Sequence, residues 1–194
     1  MTKAKTRRTK EDLLEEGLSL VSSRGPESLT IDALCRELGV TKGSFYHHFQ
    51  NCDAYVAELL DFWLERFGRA LIEQSVRETA PEERLRRIVE TAFRHPSDLD
   101  VAIRAWGGRD PAVRDHVRRM DAMRLENLAG AMRPYAASVA EAWKKARACY
   151  AAHLGAKVFC PSFDEALYLE LVETMCDALN LPLFMRGDCG GRDT

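Results

Sequence analysis

The chain is poor in the signals that mark most functional classes. It has no Cys-x-x-Cys pair and no histidine spacing of the kind that holds zinc, although six cysteines are present (Cys35, Cys52, Cys149, Cys160, Cys176, Cys189). No Gly-x-Ser-x-Gly elbow, phosphate loop or His-Glu-x-x-His occurs, so nothing marks a hydrolase, nucleotide or metalloprotease site. No apolar signal segment opens the sequence, and no apolar run is long enough to span a membrane. Strand-like alternation, Asn-Gly hairpins, internal repeats and low-complexity runs are absent too. These absences point to a cytoplasmic, non-enzymatic, all-α protein with reduced thiols, no cofactor and no metal. Redox sensing through Cys149 or Cys160 stays open as an alternative.

Of 194 residues, 46% are hydrophobic and 30% charged, which is ordinary for a globular protein and enough for one sizeable core or two small ones. The net charge of -2 gives no general affinity for nucleic acid, but the charge is uneven. Lys3, Lys5, Arg7, Arg8 and Lys10 make the first ten residues purely basic, as suits either a solvated tail or an arm along DNA.

Residues 30–49 read as a helix-turn-helix. Leu34, Leu38, Val40, Phe45 and Phe49 supply an inner face. Gly39 ends the first helix, because a residue just past a helix end often takes φ > 0. Thr30 and Thr41 are placed to cap the two helices. The second helix, about Lys42 to His48, is too short to stand alone and carries Lys, Ser, Tyr and His outward. Lys42 and Ser44 suit base edges or phosphates, and Tyr46 and His47 suit flanking phosphates. The expected DNA-contacting set is therefore Thr30, Thr41, Lys42, Gly43, Ser44, Tyr46 and His47.

Helical periodicity continues to the C-terminus, for about nine helices in all. Helix 1 is expected from Lys10 to Ser23. A long fourth helix, capped by Asn51 and reaching about Glu78, carries Tyr55, Leu59, Leu60, Trp63, Phe67, Leu71 and Gln74 on one side. Later helices are expected near 81–95, 98–106, 111–132, 136–158 and 163–180, with a loose tail from Arg186. The last two carry apolar residues on more faces than one core needs.

The elements Leu13 to Val21 with Gly25, Leu34-Cys35, Gly39-Val40-Thr41-Lys42-Gly43 and Phe45-Tyr46-His47-His48-Phe49 together resemble the DNA-binding domain of the tetracycline-repressor (TetR) family, over about Arg7 to Phe67. Three positions depart from the family pattern. Cys35 and Gly17 stand where alanine is usual, both small enough to keep the packing, and Cys52 stands where a phosphate-contacting Lys is common.

The resemblance implies a helix-turn-helix domain at 7–67 and a ligand-binding and dimerisation domain at 68–185, joined through helix 4. It implies a homodimeric repressor on a double-stranded inverted-repeat operator, released by a small-molecule effector. Trp63, Phe67, Phe93, Arg104, Trp106, His116, Met120 and Met123 are candidate pocket residues, with Asp121 as a further polar one. Trp143, Tyr150, Leu154, Leu167, Leu171, Met175 and Leu179 are candidate dimer contacts. The competing classes are a protein-interaction bundle, a cysteine-based redox regulator and an enzyme with no recognisable motif.

Overall fold

Local capping starts the N-terminal helices. In the computed structural model, which describes residues 8–94, 97–159 and 165–182 (the side chains at 93, 94, 97, 159 and 165 excepted), α1 spans Lys10–Arg24. Its cap is reciprocal: the Asp12 amide donates to Thr9 Oγ1 and the Thr9 amide to the Asp12 carboxylate. Thr30 caps α2 (Ile31–Leu38), Thr41 caps α3 (Lys42–His48) and Asn51 caps α4 (Cys52–Leu64), each accepting from an amide three residues on. Gly39 closes α2 at φ 65° and ψ 33°, in the left-handed region where a Cβ is unfavourable.

After α4 the backbone stays helical, but through a π-helical stretch, Glu65–Arg69, before α5 (Ala70–Val76). The remaining helices are α6 (Pro81–Arg94), α7 (Ser97–Gly107), α8 (Pro111–Met132), α9 (Val139–Phe159) and α10 (Glu165–Ala178). Counting Cys52 to Val76 once gives nine α-helices among the described residues, in the all-α class expected. The single expected stripe along helix 4 does not persist. A π turn takes in more residues than an α turn and rotates the face beyond it, so Gln74 is exposed and Ser75 is buried.

The chain forms two compact units, and they are not two successive stretches. The first comprises Met1–Arg66 and Pro96–Arg119, the second Phe67–His95 and Met120–Thr194. The segment around α7, expected in the C-terminal domain, thus belongs to the first unit. α7 packs against α1 and the short turn Pro26–Ser28, and it buries Leu99 and Ile103. Its glycine pair, Gly107-Gly108, ends the helix: Arg114 donates from Nε to the Gly107 carbonyl (2.9 Å) and from Nη2 to the Gly108 carbonyl (3.1 Å). Asp110 then accepts the Ala112 amide (2.9 Å) and opens α8. Periodicity shows that α7 has an apolar face, but not which partner that face meets.

In the first unit Phe45, Phe49 and Tyr55 pack ring against ring, with centroids 4.8–5.3 Å apart, and Tyr55 Oη donates to the Leu13 carbonyl (2.8 Å). This contact explains Gly17: a Cβ there would fall onto the Tyr55 hydroxyl. In the second unit Leu85, Ala129, Ala131, Met132, Ala142, Ala146, Cys176 and Leu181 form one core, in which the four alanines add little bulk between helices.

Gly17→Ala should lower stability by about 1–3 kcal/mol through overpacking, and Tyr55→Phe by about 1 kcal/mol through the lost hydrogen bond. Because Phe removes the atom the new Cβ would strike, the double variant should cost less than the sum. Denaturant titration of the three variants measures this; strict additivity would mean that the two positions do not share the site.

Candidate functional site

Two groups of residues stand apart from structural packing. The first is the outer face of α3. Phe45 and Phe49 are buried and anchor the helix, while Lys42, Gly43, Tyr46 and His47 are exposed and Ser44 is half-exposed. Tyr46 is 54% exposed, unusual for an aromatic ring beside a buried aromatic cluster. Thr30 and Thr41 are exposed at the helix starts, where their hydroxyls accept from the Ala33 and Ser44 amides. Lys42 Nζ lies 2.7 Å from Asp32 on α2, and this partner holds the lysine pKa above its ordinary value. Both side chains are well exposed, so the pair is weak and can exchange for another anion at little cost. Cys35 lies buried under this face, and burial raises its thiol pKa. Cys52 is half-buried at the start of α4 and brings no charge to that position.

The second group surrounds a cavity of about 160 Å³ that lies wholly within the second unit. α5 and the π stretch contribute Phe67, Gly68, Leu71 and Ile72; α6 contributes Leu85, Ile88, Val89 and Ala92. Polar atoms enter mainly from α8 and α9, as Arg124, Asn127, His153 and Lys157. Arg124 Nη2 donates to the Phe67 carbonyl (3.2 Å), tying α8 to the π stretch. Tyr150 Oη donates to Asp121 (2.7 Å), and Tyr168 Oη donates to the Val89 carbonyl (3.4 Å). Burial raises the Tyr168 pKa, so that phenol stays a hydrogen-bond donor.

Of the candidate pocket residues, only Phe67 lines this cavity among those described. Trp63 is fully buried in the first unit, and Arg104, Trp106 and His116 belong to that unit as well. His116 Nε2 faces Asp61 at 3.4 Å. Met120 and Met123 pack close to Gly68, where a Cβ would meet Met123 Cε at 2.8 Å and Met120 Sδ at 3.0 Å. The Phe93 side chain lies outside the described residues.

Three of the expected dimer contacts, Tyr150, Leu171 and Met175, line the cavity. Trp143 and Leu179 pack against the second unit's core, Leu154 is half-buried, and Leu167 is exposed. The apolar excess on α9 and α10 is therefore divided between cavity, core and surface. Arg124, His153 and Lys157 were not anticipated. The one signal in the sequence was the row Cys149, His153, Lys157, spaced four apart and so on one face of α9.

Comparisons with known proteins find both similar sequences and similar folds. The sequence profile of the family described as "Bacterial regulatory proteins, tetR family" matches residues 13–59. Over these residues the chain is similar to the tetR family. The HTH-type transcriptional regulators BetI of Pectobacterium carotovorum and Brucella suis are each 24% identical to it, over 99 and 97 residues. Those matches take in 50% of this chain and 51% and 49% of the relatives, so the chain spans about half the length of the curated relatives it matches. Among solved structures, a TetR regulator from Legionella pneumophila superposes with a TM-score of 0.75 at 11% identity, covering 88% of this chain and 97% of that one. A regulator from Saccharomonospora viridis in complex with choline gives a TM-score of 0.70 at 18% identity, covering 88% and 93%. These two likenesses establish the TetR fold beyond the matched domain. No helix among the described residues is long and apolar enough to cross a membrane.

The thiols of the second unit bear on the redox alternative. Cys149 lines the cavity, and burial, with Cys176 nearby, pushes its pKa up from 9.0 to about 11. Cys176 is raised by burial as well. The nucleophile and oxidisable form is the thiolate, so a pKa near 11 leaves roughly a hundredfold less of it near neutral pH than in a free cysteine. Cys160 lies outside the described residues. Site-resolved alkylation with iodoacetamide at pH 8 should therefore find Cys149 about a hundredfold slower than a free cysteine peptide. The rate should climb as the pH approaches 11; fast labelling at pH 7 would restore the thiol as a candidate sensor.

Proposed function

We propose that the chain is a transcriptional regulator, a homodimeric repressor whose α3 helices enter successive major grooves of an inverted-repeat operator and whose affinity falls when a small molecule occupies the cavity of the second unit. The observation that carries the reading is the α2–α3 pair: a seven-residue helix, capped by Thr41 and anchored by Phe45 and Phe49, presents Lys42, Ser44, Tyr46 and His47 outward. Lys42 supplies a cation that can leave Asp32 for a phosphate or a guanine edge.

The homodimer follows from reading length. A two-turn helix covers too few base pairs to select a site against a genome, and a two-fold partner doubles the readout. Exposed apolar positions on the last two helices support the dimer reading. Val158 is 62% exposed and Leu167 39%. The effector reading is supported by the cavity itself and by the choline-bound Saccharomonospora viridis regulator of like fold. Two helices carry a signal path. α4 with α5, and α8, each begin in the first unit and line the cavity with their second-unit residues. Occupancy would act on both, through the π stretch and through Arg124.

Fluorescence anisotropy on DNA from around the protein's own gene tests the regulator directly. Wild type should bind specifically. Lys42→Ala should lose about 1–3 kcal/mol on that DNA alone if Lys42 reaches a base, or lose affinity on all sequences with a shallower salt dependence if it reaches phosphate. Tyr46→Phe should bind more weakly while melting like wild type. No change in either variant would remove α3 as the reading element.

Sedimentation should give a wild-type dimer at micromolar concentration. Val158→Glu with Leu167→Glu should give a folded monomer, because the dimer would bury charge without a partner. A wild-type monomer would contradict the dimer.

A further inference from the structure

The described lining of the second unit's cavity includes basic side chains and no acidic one. Arg124 from α8 and His153 and Lys157 from α9 reach it, and no carboxylate does so among its described lining residues. His153 and Lys157 stand four residues apart and emerge on one face of α9. Lys157 is buried and Arg124 is half-buried, so both cations are largely withdrawn from bulk water. In such surroundings an opposite charge counts for more than it does at a surface, and a like charge is correspondingly rejected. The geometry also suits a carboxylate. A guanidinium presents its donors as a fork that matches two carboxylate oxygens, and Arg124 is steadied by the Phe67 carbonyl at 3.2 Å. Tyr168, which also lines the cavity, adds a hydroxyl 3.5 Å from His153 Nδ1.

The rest of the wall is apolar and limits the size of the guest. Phe67, Leu71, Ile88, Val89 and Val172 line it without polar side-chain atoms. At about 160 Å³ the space resembles an apolar protein cavity of about 150 Å³ that holds benzene.

Taking this cavity as the effector site, as proposed above, we infer that the effector is a small amphiphilic carboxylate: one aromatic ring or a short aliphatic chain bearing a single acid group, with the acid against Arg124, His153 and Lys157. A cationic or quaternary ammonium guest of the same bulk is disfavoured.

Isothermal titration of the full chain with matched probes tests the inference. Benzoate, benzamide and benzylamine form the aromatic arm; hexanoate, hexanamide and hexylamine form the aliphatic arm. In at least one arm the acid should bind about tenfold or more tighter than its amide, the scale of one charge-assisted hydrogen bond, and the amine should bind weakest. The arm with the larger preference identifies the apolar body. Lys157→Met, which keeps an unbranched apolar stem, and Arg124→Gln should each bring the acid down to the level of its amide and leave the amide unchanged. A merely structural role would weaken both probes alike.

Equal binding of acid and amide, or tighter binding of the amine, would overturn the inference. In that case release of DNA by the neutral or cationic probe would show that the effector site stands and only its charge preference is wrong. Binding by no probe in either arm would overturn the charge assignment and the effector reading together.

Discussion

Helical hydrogen bonding runs unbroken from Cys52 to Val76 and from Pro111 to Met132, and each of these helices begins in the unit that holds the α2–α3 pair and ends in the unit that holds the cavity. The π-helical stretch at Glu65–Arg69 falls where the first of these helices passes between units. Single π turns of this kind recur at functional sites. Gly68 within it admits Met120 and Met123 at a distance no larger residue would allow, and Arg124 bonds to Phe67 beside it.

The recognition end is built on the opposite principle, rigidity. Caps at Thr9, Thr30, Thr41 and Asn51 each satisfy one orphan amide at the start of a helix, Gly39 turns the chain, and the Phe45–Phe49–Tyr55 cluster fixes α3 from below. Tyr55 reaches across to the Leu13 carbonyl through the space left by Gly17. A short helix held in this way keeps its outward side chains in one presentation, which lowers the entropic cost of binding.

Where structure depends on short-range chemistry it was legible in the sequence. α2 and α3 begin and end where Thr30, Gly39 and Thr41 require, because a cap and a left-handed glycine act within a few residues. The all-α class followed from helical periodicity along the chain. Elements whose partners are distant were not legible. α7 packs on α1, and Tyr150, Leu171 and Met175 line a cavity in the second unit. An apolar stripe records that a face is buried and says nothing of what buries it. The π stretch left no periodicity signal of its own. The cavity's basic side chains were hidden for a related reason: Arg124, His153 and Lys157 look like ordinary solvated positions until α8 and α9 are placed around one space.

The central claim is that occupancy of the cavity lowers DNA affinity through the shared helices. Ala92→Phe tests it without any knowledge of the effector, since Ala92 lines the cavity and a phenyl ring has the bulk to fill it. Operator affinity, measured by anisotropy for wild type and for this variant at matched helical content, should fall about tenfold or more, the size of a typical allosteric coupling. Unchanged affinity in a folded variant whose cavity no longer accepts probes would contradict the account.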